Sequence, residues 1–265
     1  MSNFLTRIIS AIIYAALFIF CIVYSKESYI SLIALFGCIC IWEFSKIINT
    51  RSILSFIPIL LGSIYLKYTE ILPSNLNFIL LITATVYSLY LIVNLYDKKV
   101  RSRGLLNRLF LTLNYLIVPF LFLAFLPFVT EIYQPQLIVF VILIIWTNDS
   151  FAYIVGKNFG KRKLFERISP KKTIEGFFGG FIFSLCIGIL IGRYTQLLSL
   201  GNWLVIATLV SVFGTYGDLV ESKFKRLANV KDSGTIMPGH GGLLDRLDSL
   251  FFLAPFVYLY IHYCI

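Results

Sequence analysis

Nine apolar stretches, each close to the length of one membrane crossing, divide this chain almost from end to end. They fall approximately at 8–24, 29–48, 53–68, 76–96, 105–128, 137–156, 174–193, 202–220 and 247–264. A helix needs about 20 mainly apolar residues to cross a hydrocarbon core of roughly 30 Å. The stretches therefore predict an all-α integral membrane protein with about nine transmembrane helices. The third stretch is the weakest, because it is short and contains Pro58 and Gly62.

The composition of the chain agrees with this prediction and argues against several other classes of protein. Hydrophobic residues make up 58% of the chain and charged residues only 14%, against about 45–50% and about 25% in soluble domains. Aromatic residues make up 17%, which is too many for a disordered chain. The net charge of +10 would suggest nucleic acid as the partner of a soluble protein, but in a membrane protein it indicates loops beside anionic lipid. We therefore expect no nucleic-acid partner.

Lysines and arginines are distributed very unevenly among the links between the nine stretches. If the links alternate between the two sides of the membrane, 20 of the 23 basic residues lie on the side of the amino terminus. The other side has only Lys26, Lys67 and Arg193. Because positively charged loops stay in the cytoplasm, this asymmetry predicts a cytoplasmic amino terminus and a carboxyl terminus on the opposite side.

Polar residues concentrate in the second half of the chain. Residues 1–136 are predicted to form a hydrophobic scaffold of spans with short links. Residues 137–265 contain two long polar segments, 157–172 and 221–246, both on the predicted cytoplasmic face. No linker rich in glycine and serine separates the two parts, so we expect one inseparable membrane domain whose catalytic region is 137–265.

Acidic residues near the predicted cytoplasmic ends of the last two spans form a candidate site. A carboxylate at the centre of a spanning helix costs at least about 2.5–3.5 kcal/mol on insertion, so acids in or beside spans usually have a function. Helical spacing places Glu221 and Ser222 on the same face as Asp218 at the end of the eighth span. Asp245 and Asp248 are three residues apart at the start of the ninth span, so they also share a face.

Two interpretations of these carboxylates are open from spacing alone. Mg²⁺ takes one or two carboxylates together with waters and substrate phosphate oxygens, so facing carboxylates could hold this ion. Alternatively, Asp245 and Asp248 could only neutralise Arg246 and Lys225, since ion pairs are common at helix ends.

Both polar segments also have features of anion-binding sites. The segment 231–242 contains four glycines, whose backbone N–H groups could approach phosphate oxygens closely, although many such loops are ordinary turns. The segment 156–173 has seven basic residues and one acid, so it could bind either a substrate anion or the anionic lipid surface. Within it, Ser169 followed by Pro170 is typical of a helix cap and a first-turn proline, which predicts a helix start there.

The residues from Ser222 to Asp248 resemble the signature of the phosphatidate cytidylyltransferases, which are also called CDP-diacylglycerol synthases. The sequence SKFKRLANVKDSGTIMPGHGGLLDRLD shows no departure from the family pattern. Upstream, the run NDSFAY at 148–153 and the run SPKKTIEG at 169–176 resemble a second block that the family shares. The resemblance covers roughly residues 148–250, whereas 1–136 are similar only as hydrophobic spans.

This resemblance implies a membrane enzyme that transfers the cytidylyl group of CTP to phosphatidate, giving CDP-diacylglycerol and pyrophosphate for phospholipid biosynthesis. The family is all-helical, dimeric and dependent on a divalent metal ion. We therefore expect a homodimer with Mg²⁺ as the cofactor and a monovalent cation such as K⁺ beside it. The expected location is a bacterial plasma membrane, with an organellar membrane as the alternative, and the active site is expected to face the cytoplasm.

The resemblance and the charge pattern together assign roles to the candidate residues. The reaction joins two anions, and it requires charge neutralisation but no general base, because the phosphate of phosphatidate is largely ionised at neutral pH. The expected metal ligands are Asp218 and Asp245, with Asp248 and Asp149 as outer or secondary ligands. The expected catalytic residues are Asp218, Asp245, Lys225 and Arg226. The expected substrate-binding residues are Ser222, Lys171, Lys172, Lys231, Asp232, Gly239, His240, Gly241, Gly242 and Arg246, of which His240 is either a phosphate donor or a structural residue.

Two other functions compete with this one. A polyprenol or dolichol kinase also uses CTP, but it transfers the γ-phosphoryl group to an alcohol. A transporter would use intramembrane acids to relay ions, but it gives no reason for the seven basic residues of 156–173. The fate of labelled CTP distinguishes the three functions.

Overall fold

The computed structural model describes residues 3–50, 55–68, 73–97, 104–128, 132–237, 239 and 241–265. The backbone in these ranges is almost entirely helical. The helices are α1 (Asn3–Tyr24), α2 (Lys26–Ile47), α3 (Ile57–Tyr68), α4 (Ser74–Asn94), α5 (Leu105–Thr112), α6 (Val118–Phe125), α7 (Pro135–Phe159), α8 (Ile174–Tyr194), α9 (Leu200–Leu209), α10 (Thr215–Leu227) and α11 (Leu244–Cys264). The π-helical turn Leu113–Ile117 joins α5 to α6, and a second one, Val210–Gly214, joins α9 to α10. Strands β1 (Lys163–Phe165) and β2 (Ser169–Thr173) lie between α7 and α8.

Among the residues that the structure describes, seven helices are long and apolar enough to cross a membrane. They are Lys26–Ile47, Ser74–Asn94, Leu105–Phe128, Pro135–Phe159, Ile174–Tyr194, Leu200–Leu227 and Leu244–Cys264. Two shorter apolar helices, Ile9–Tyr24 and Ile57–Leu66, fall in the first and third predicted stretches. The all-α membrane class is thus confirmed, whereas the count of nine crossings and the orientation stay predictions.

Large apolar side chains cover the outside of the helices as well as the inside. Ile12 is 62% exposed, Val93 70% and Leu106 81%. A surface with this much exposed hydrocarbon is unfavourable in water but matches the interior of a bilayer, where lipid chains cover it.

Helix α11 is the centre of the packing. Every residue from 247 to 258 is buried, and the helix packs against α6, α10 and the π-helical turn between α9 and α10. The rings of Phe120 and Phe251 stack between α6 and α11 at a centroid distance of 5.2 Å. Packing therefore joins the first 136 residues to the rest of the chain, while the division into scaffold and catalytic regions stays a prediction.

The end of helix α7 and the start of helix α8 pack very closely, because glycines face the contact. A Cβ atom on Gly180 would lie 2.7 Å from the backbone oxygen of Asn148, and one on Gly176 would lie 2.7 Å from that of Ala152. No larger residue fits there without a shift of the backbone. This close approach brings Asp149 of α7 beside the segment that leads into α8.

The predicted helix start at Ser169 and Pro170 is wrong. These residues begin β2, which pairs antiparallel with β1 so that Phe165 lies opposite Ser169. Proline disfavours helical geometry in the residue before it, and both strands of a two-stranded hairpin are edges, where a missing N–H is tolerated. Helix α8 begins instead after Thr173, whose Oγ1 accepts a hydrogen bond from the Gly176 N–H at 3.1 Å.

Candidate active site

A cavity of about 1140 Å³ opens between α1, α7, α8, α10, α11 and the hairpin. One part of its wall is apolar and includes Ile12, Phe18, Ile142, Ile145 and Trp146. The other part is charged. Its lining includes eight of the candidate residues predicted from the sequence: Asp149, Lys171, Lys172, Asp218, Lys225, Asp245, Arg246 and Asp248. The cavity therefore offers a charged region and an apolar region to one ligand or to two.

Three carboxylates converge at the charged end of this cavity. Within the described part of the chain, Asp218, Glu221 and Asp248 each place one oxygen within 4.8 Å of the other two. Asp218 and Glu221 come from adjacent turns of α10, and Asp248 comes from the first turns of α11. Glu221 is 1% exposed and Asp248 7% exposed, and both Asp218 and Asp248 line the cavity.

This donor set fits a hard divalent cation. Carboxylate oxygens are the ligands that Mg²⁺ prefers, and the ion usually takes few of them because it keeps waters and phosphate oxygens in its remaining positions. Without a cation, three carboxylates at this separation repel each other in a region that water reaches poorly. The residues present therefore fit the Mg²⁺ ion that is expected from the sequence.

Two lysines partly neutralise the carboxylates. The Lys172 Nζ lies 2.5 Å from Asp218 Oδ2. The Lys225 Nζ lies 2.5 Å from Asp245 Oδ1 and also forms an ion pair with Glu221 one helical turn earlier. Lys225 is only 8% exposed, so its charge is held almost entirely by these partners.

The pKa of Lys172 lies above its ordinary value. Burial alone would lower this pKa, but the neighbouring Asp218 carboxylate outweighs burial, and Asp149 and Asp248 add to its effect. Lys172 is therefore an ammonium at neutral pH and can attract an anion into the cavity.

Side chains of both charges meet at this end of the cavity. The described acidic side chains are Asp149, Asp218, Glu221, Asp245 and Asp248, and the basic side chains on the cavity wall are Lys157, Lys163, Lys171, Lys172, Lys225 and Arg246. The wall can therefore attract both a cation and an anion.

Asp245 uses both of its oxygens within the protein. Oδ1 accepts from Lys225, while Oδ2 accepts from the backbone N–H of Ser233 at 2.9 Å and of Gly242 at 2.8 Å. These bonds tie the glycine-rich loop to the first turn of α11. Gly241, which has a φ of 91°, allows the chain to turn back there, because other residues rarely adopt this conformation. The assignment of Asp245 as a metal ligand stays a prediction.

Other residues selected from the sequence lie around the cavity and do not line it. Ser222 Oγ donates to Asp218 Oδ1 at 3.1 Å, so it is in contact with the carboxylate group. Arg226 is exposed and donates to the backbone oxygens of Ile168 at 3.4 Å and Val230 at 3.2 Å. In the glycine-rich loop, Lys231, Asp232 and Gly239 are exposed, Gly241 is half-buried and Gly242 is buried. His240 lies outside the described residues.

The basic hairpin is held against the helices rather than extending freely. Glu175 at the start of α8 accepts hydrogen bonds from the backbone N–H of Lys161 at 3.0 Å and of Arg162 at 3.1 Å. Arg167, between the strands, donates to the backbone oxygens of Leu95 and Asp97 beyond the end of α4. These contacts fix the strand that carries Lys171 and Lys172 to the cavity.

Two carboxylates have positions that the sequence reasoning did not assign. Glu221 belongs to the three-carboxylate group, and its spacing of three residues from Asp218 was the available signal. Glu43 of α2 is fully buried beside the start of α11. It lies in the region expected to be scaffold, and no local pattern connects it with residues 200 positions later.

Comparison with known proteins shows the family to which the chain belongs. Residues 5–264 match the model of the cytidylyltransferase family. A phosphatidate cytidylyltransferase of Bacillus subtilis (strain 168) is 35% identical over 260 residues, which are 95% of this chain and 95% of the relative. Phosphatidate cytidylyltransferases of Staphylococcus epidermidis and Staphylococcus aureus (strain COL) are 50% identical over 119 residues and 48% identical over 120, in both cases 44% of this chain and 46% of the relative. The chain therefore belongs to the phosphatidate cytidylyltransferase family.

Proposed function

We propose that this chain transfers the cytidylyl group of CTP to phosphatidate and forms CDP-diacylglycerol and pyrophosphate. The proposed location is a bacterial plasma membrane, with the charged end of the cavity open to the cytoplasm. The observation that carries the proposal is the cavity itself, in which carboxylates and lysines lie beside an apolar wall. A reaction between a soluble nucleotide and a lipid requires both environments at one place.

In the proposed reaction, a phosphate oxygen of phosphatidate attacks the α-phosphorus of CTP. One P–O bond forms, the P–O bond to the leaving pyrophosphate breaks, and the electron pair of that bond stays on pyrophosphate. The attacking phosphate monoester has a second pKa of about 6, so it is mostly a dianion at neutral pH and needs no general base to remove a proton. The main obstacle is repulsion between anions, which positioned cations relieve.

Asp218, Glu221 and Asp248 would hold Mg²⁺, with Asp149 on the cavity wall beside them. When bound, the ion would neutralise phosphate charge and orient the phosphate oxygens. The chain supplies the rest of the positive charge. Lys172 and Lys171 on the hairpin and Arg246 on α11 line the same cavity, where they would bind phosphate oxygens of CTP or of the phosphatidate headgroup.

Lys225 would have a different role from the lysines of the hairpin. Its ammonium lies between Glu221 and Asp245, so it would act by keeping these carboxylates close together as well as by facing the substrate. Ser222 would orient Asp218 through its hydroxyl. Substrate contacts by Arg226 and the loop residues Lys231, Asp232, Gly239, His240, Gly241 and Gly242, a K⁺ ion beside Mg²⁺, and a homodimer remain predictions from the family resemblance.

The position of the label transferred from CTP tests the proposed function. Membranes containing this chain are incubated with phosphatidate, Mg²⁺ and CTP labelled at either the α- or the γ-phosphorus, and chloroform-extractable label is counted. We expect α-label in lipid, dependent on added phosphatidate, and no γ-label above membranes without the chain. Transfer of γ-label would instead indicate a lipid kinase, and the absence of both labels would contradict the proposal.

A further inference from the structure

The carboxylate of Glu43, in the part of the chain predicted as scaffold, contacts the start of α11. Glu43 is on α2, about one turn before that helix ends, and its residue is 0% exposed. Burying a carboxylate without compensation is costly, so its partners indicate what it does there.

The partners of Glu43 are the first backbone groups of α11 and one loop hydroxyl. Oε2 accepts from the Leu244 N–H at 2.8 Å, and Oε1 accepts from the Leu243 N–H at 3.2 Å. The Ser233 hydroxyl lies 3.2 Å from Oε2 and donates to it. Leu243 occupies the N-cap position of α11, but its apolar side chain cannot form a capping hydrogen bond.

Glu43 thus acts as the cap that α11 lacks in its own sequence. The first N–H groups of a helix have no partner within the helix, and the helix dipole makes this end favourable for a negative charge. Both effects offset the free-energy cost of burying the Glu43 carboxylate. Since the bond comes from another helix, it also fixes where α11 begins relative to α2.

The glycine-rich loop packs directly on the same carboxylate. A Cβ atom on Gly242 would lie 2.7 Å from both oxygens of Glu43, and one on Gly234 would lie 2.9 Å from its Cδ. These separations are shorter than real Cβ contacts, so each glycine allows the backbone to approach the carboxylate. Ser233, next to Gly234, also donates its backbone N–H to Asp245 Oδ2 at 2.9 Å. Its hydroxyl lies 3.0 Å from the same oxygen, so Glu43 and Asp245 share its single proton.

We infer that Glu43 is a positioning residue for the proposed cytidylyl transfer, and the inference rests on that function. It holds the loop and the first turn of α11 together, and Asp245 and Asp248 project from that turn into the cavity. Glu43 does not line the cavity. It acts through the backbone, so its loss displaces the carboxylates without removing any of them.

The test compares Glu43→Gln with Glu43→Asp and with Glu27→Gln, an exposed residue at the other end of the same helix. Leu243 and Leu244 donate to different oxygens of Glu43, and an amide in the same position replaces one of those oxygens with an NH₂ donor. For Glu43→Gln we expect a fall in kcat of about 10–100-fold and a similar rise in the Mg²⁺ concentration that gives half-maximal rate, the range for loss of a residue that orients ligands. Glu43→Asp should lie between Glu43→Gln and the wild type, while Glu27→Gln should match the wild type.

Hydrogen exchange measured by mass spectrometry provides a readout that is independent of activity. Peptides covering 233–246 should exchange faster in Glu43→Gln than in the wild type, while peptides of α7 and α8 keep their wild-type rates. If Glu43→Gln does not fold, Glu43→Asp is used for the same measurements. Unchanged exchange in 233–246, or an unchanged Mg²⁺ requirement in folded protein, would overturn the inference. Wild-type protein without transfer activity would overturn the proposed function instead, and the exchange comparison would still test the role of Glu43.

Discussion

Replacing Asp218 with asparagine is expected to lower the rate of cytidylyl transfer by about 10²–10³-fold, the range for removal of a preorganised electrostatic group. Asparagine has the same size but no charge, so it weakens the three-carboxylate group and leaves Lys172 without its ion-pair partner. The Asp218 side chain is 36% exposed, so the fold should tolerate the change. The measurement is incorporation of α-labelled CTP into lipid per amount of folded enzyme.

Glu166→Gln is the matched control for this prediction. Glu166 is an exposed acid in the turn of the hairpin between α7 and α8, and it does not line the cavity. Its replacement should leave the rate within about twofold of the wild type, as expected for a surface substitution. If Asp218→Asn transfers label as fast as this control, Asp218 has no part in the reaction and the assignment of the site fails.

Replacing Lys225 with methionine is expected to have the largest effect on stability. Removing one partner of a buried ion pair leaves an uncompensated buried charge and costs about 3–5 kcal/mol. Here the change leaves Glu221, which is 1% exposed, and Asp245 without their shared ammonium. The thermal unfolding midpoint in detergent should fall well below that of Lys161→Met, in which an exposed lysine is replaced.

A second substitution separates stability from catalysis at this position. Adding Glu221→Gln to Lys225→Met removes one of the two unpaired charges, so the unfolding midpoint should recover part of its loss. The transfer rate should not recover, because Glu221 belongs to the proposed ligand group. Recovery of the rate together with the midpoint would indicate that both residues only stabilise the fold.

Local spacing along single helices was enough to predict which of these side chains lie close together on one helix. Asp218 and Ser222 are four residues apart on α10, and the structure joins them by a hydrogen bond of 3.1 Å. The start of α11 near Asp245 could also be predicted, because Asp245 and Asp248 stand at the beginning of a long apolar run. In each case the information lies within one or two helical turns, where side-chain positions follow directly from helix geometry.

Contacts between distant parts of the chain could not be predicted in this way. The bond from Leu244 to Glu43 joins residues 201 positions apart, and Glu43 sits in an apolar stretch with no neighbouring motif. The hairpin was also missed, because its strands have three and five residues, too short for an alternating pattern to be recognised. Ser169 and Pro170 fit a helix start equally well in sequence, and tertiary contacts of the hairpin select the strand.

The proposed reaction depends on the claim that Asp218, Glu221 and Asp248 hold a metal ion. Direct measurement of divalent cation binding tests this claim. Purified wild-type protein and Asp248→Asn are titrated with Mn²⁺ in detergent without CTP, and free Mn²⁺ is followed by its paramagnetic resonance signal. The wild type should bind Mn²⁺ in competition with Mg²⁺, and Asp248→Asn should bind it at least about tenfold more weakly, as expected when a buried charged partner is removed. Equal binding by the wild type and Asp248→Asn would contradict the claim.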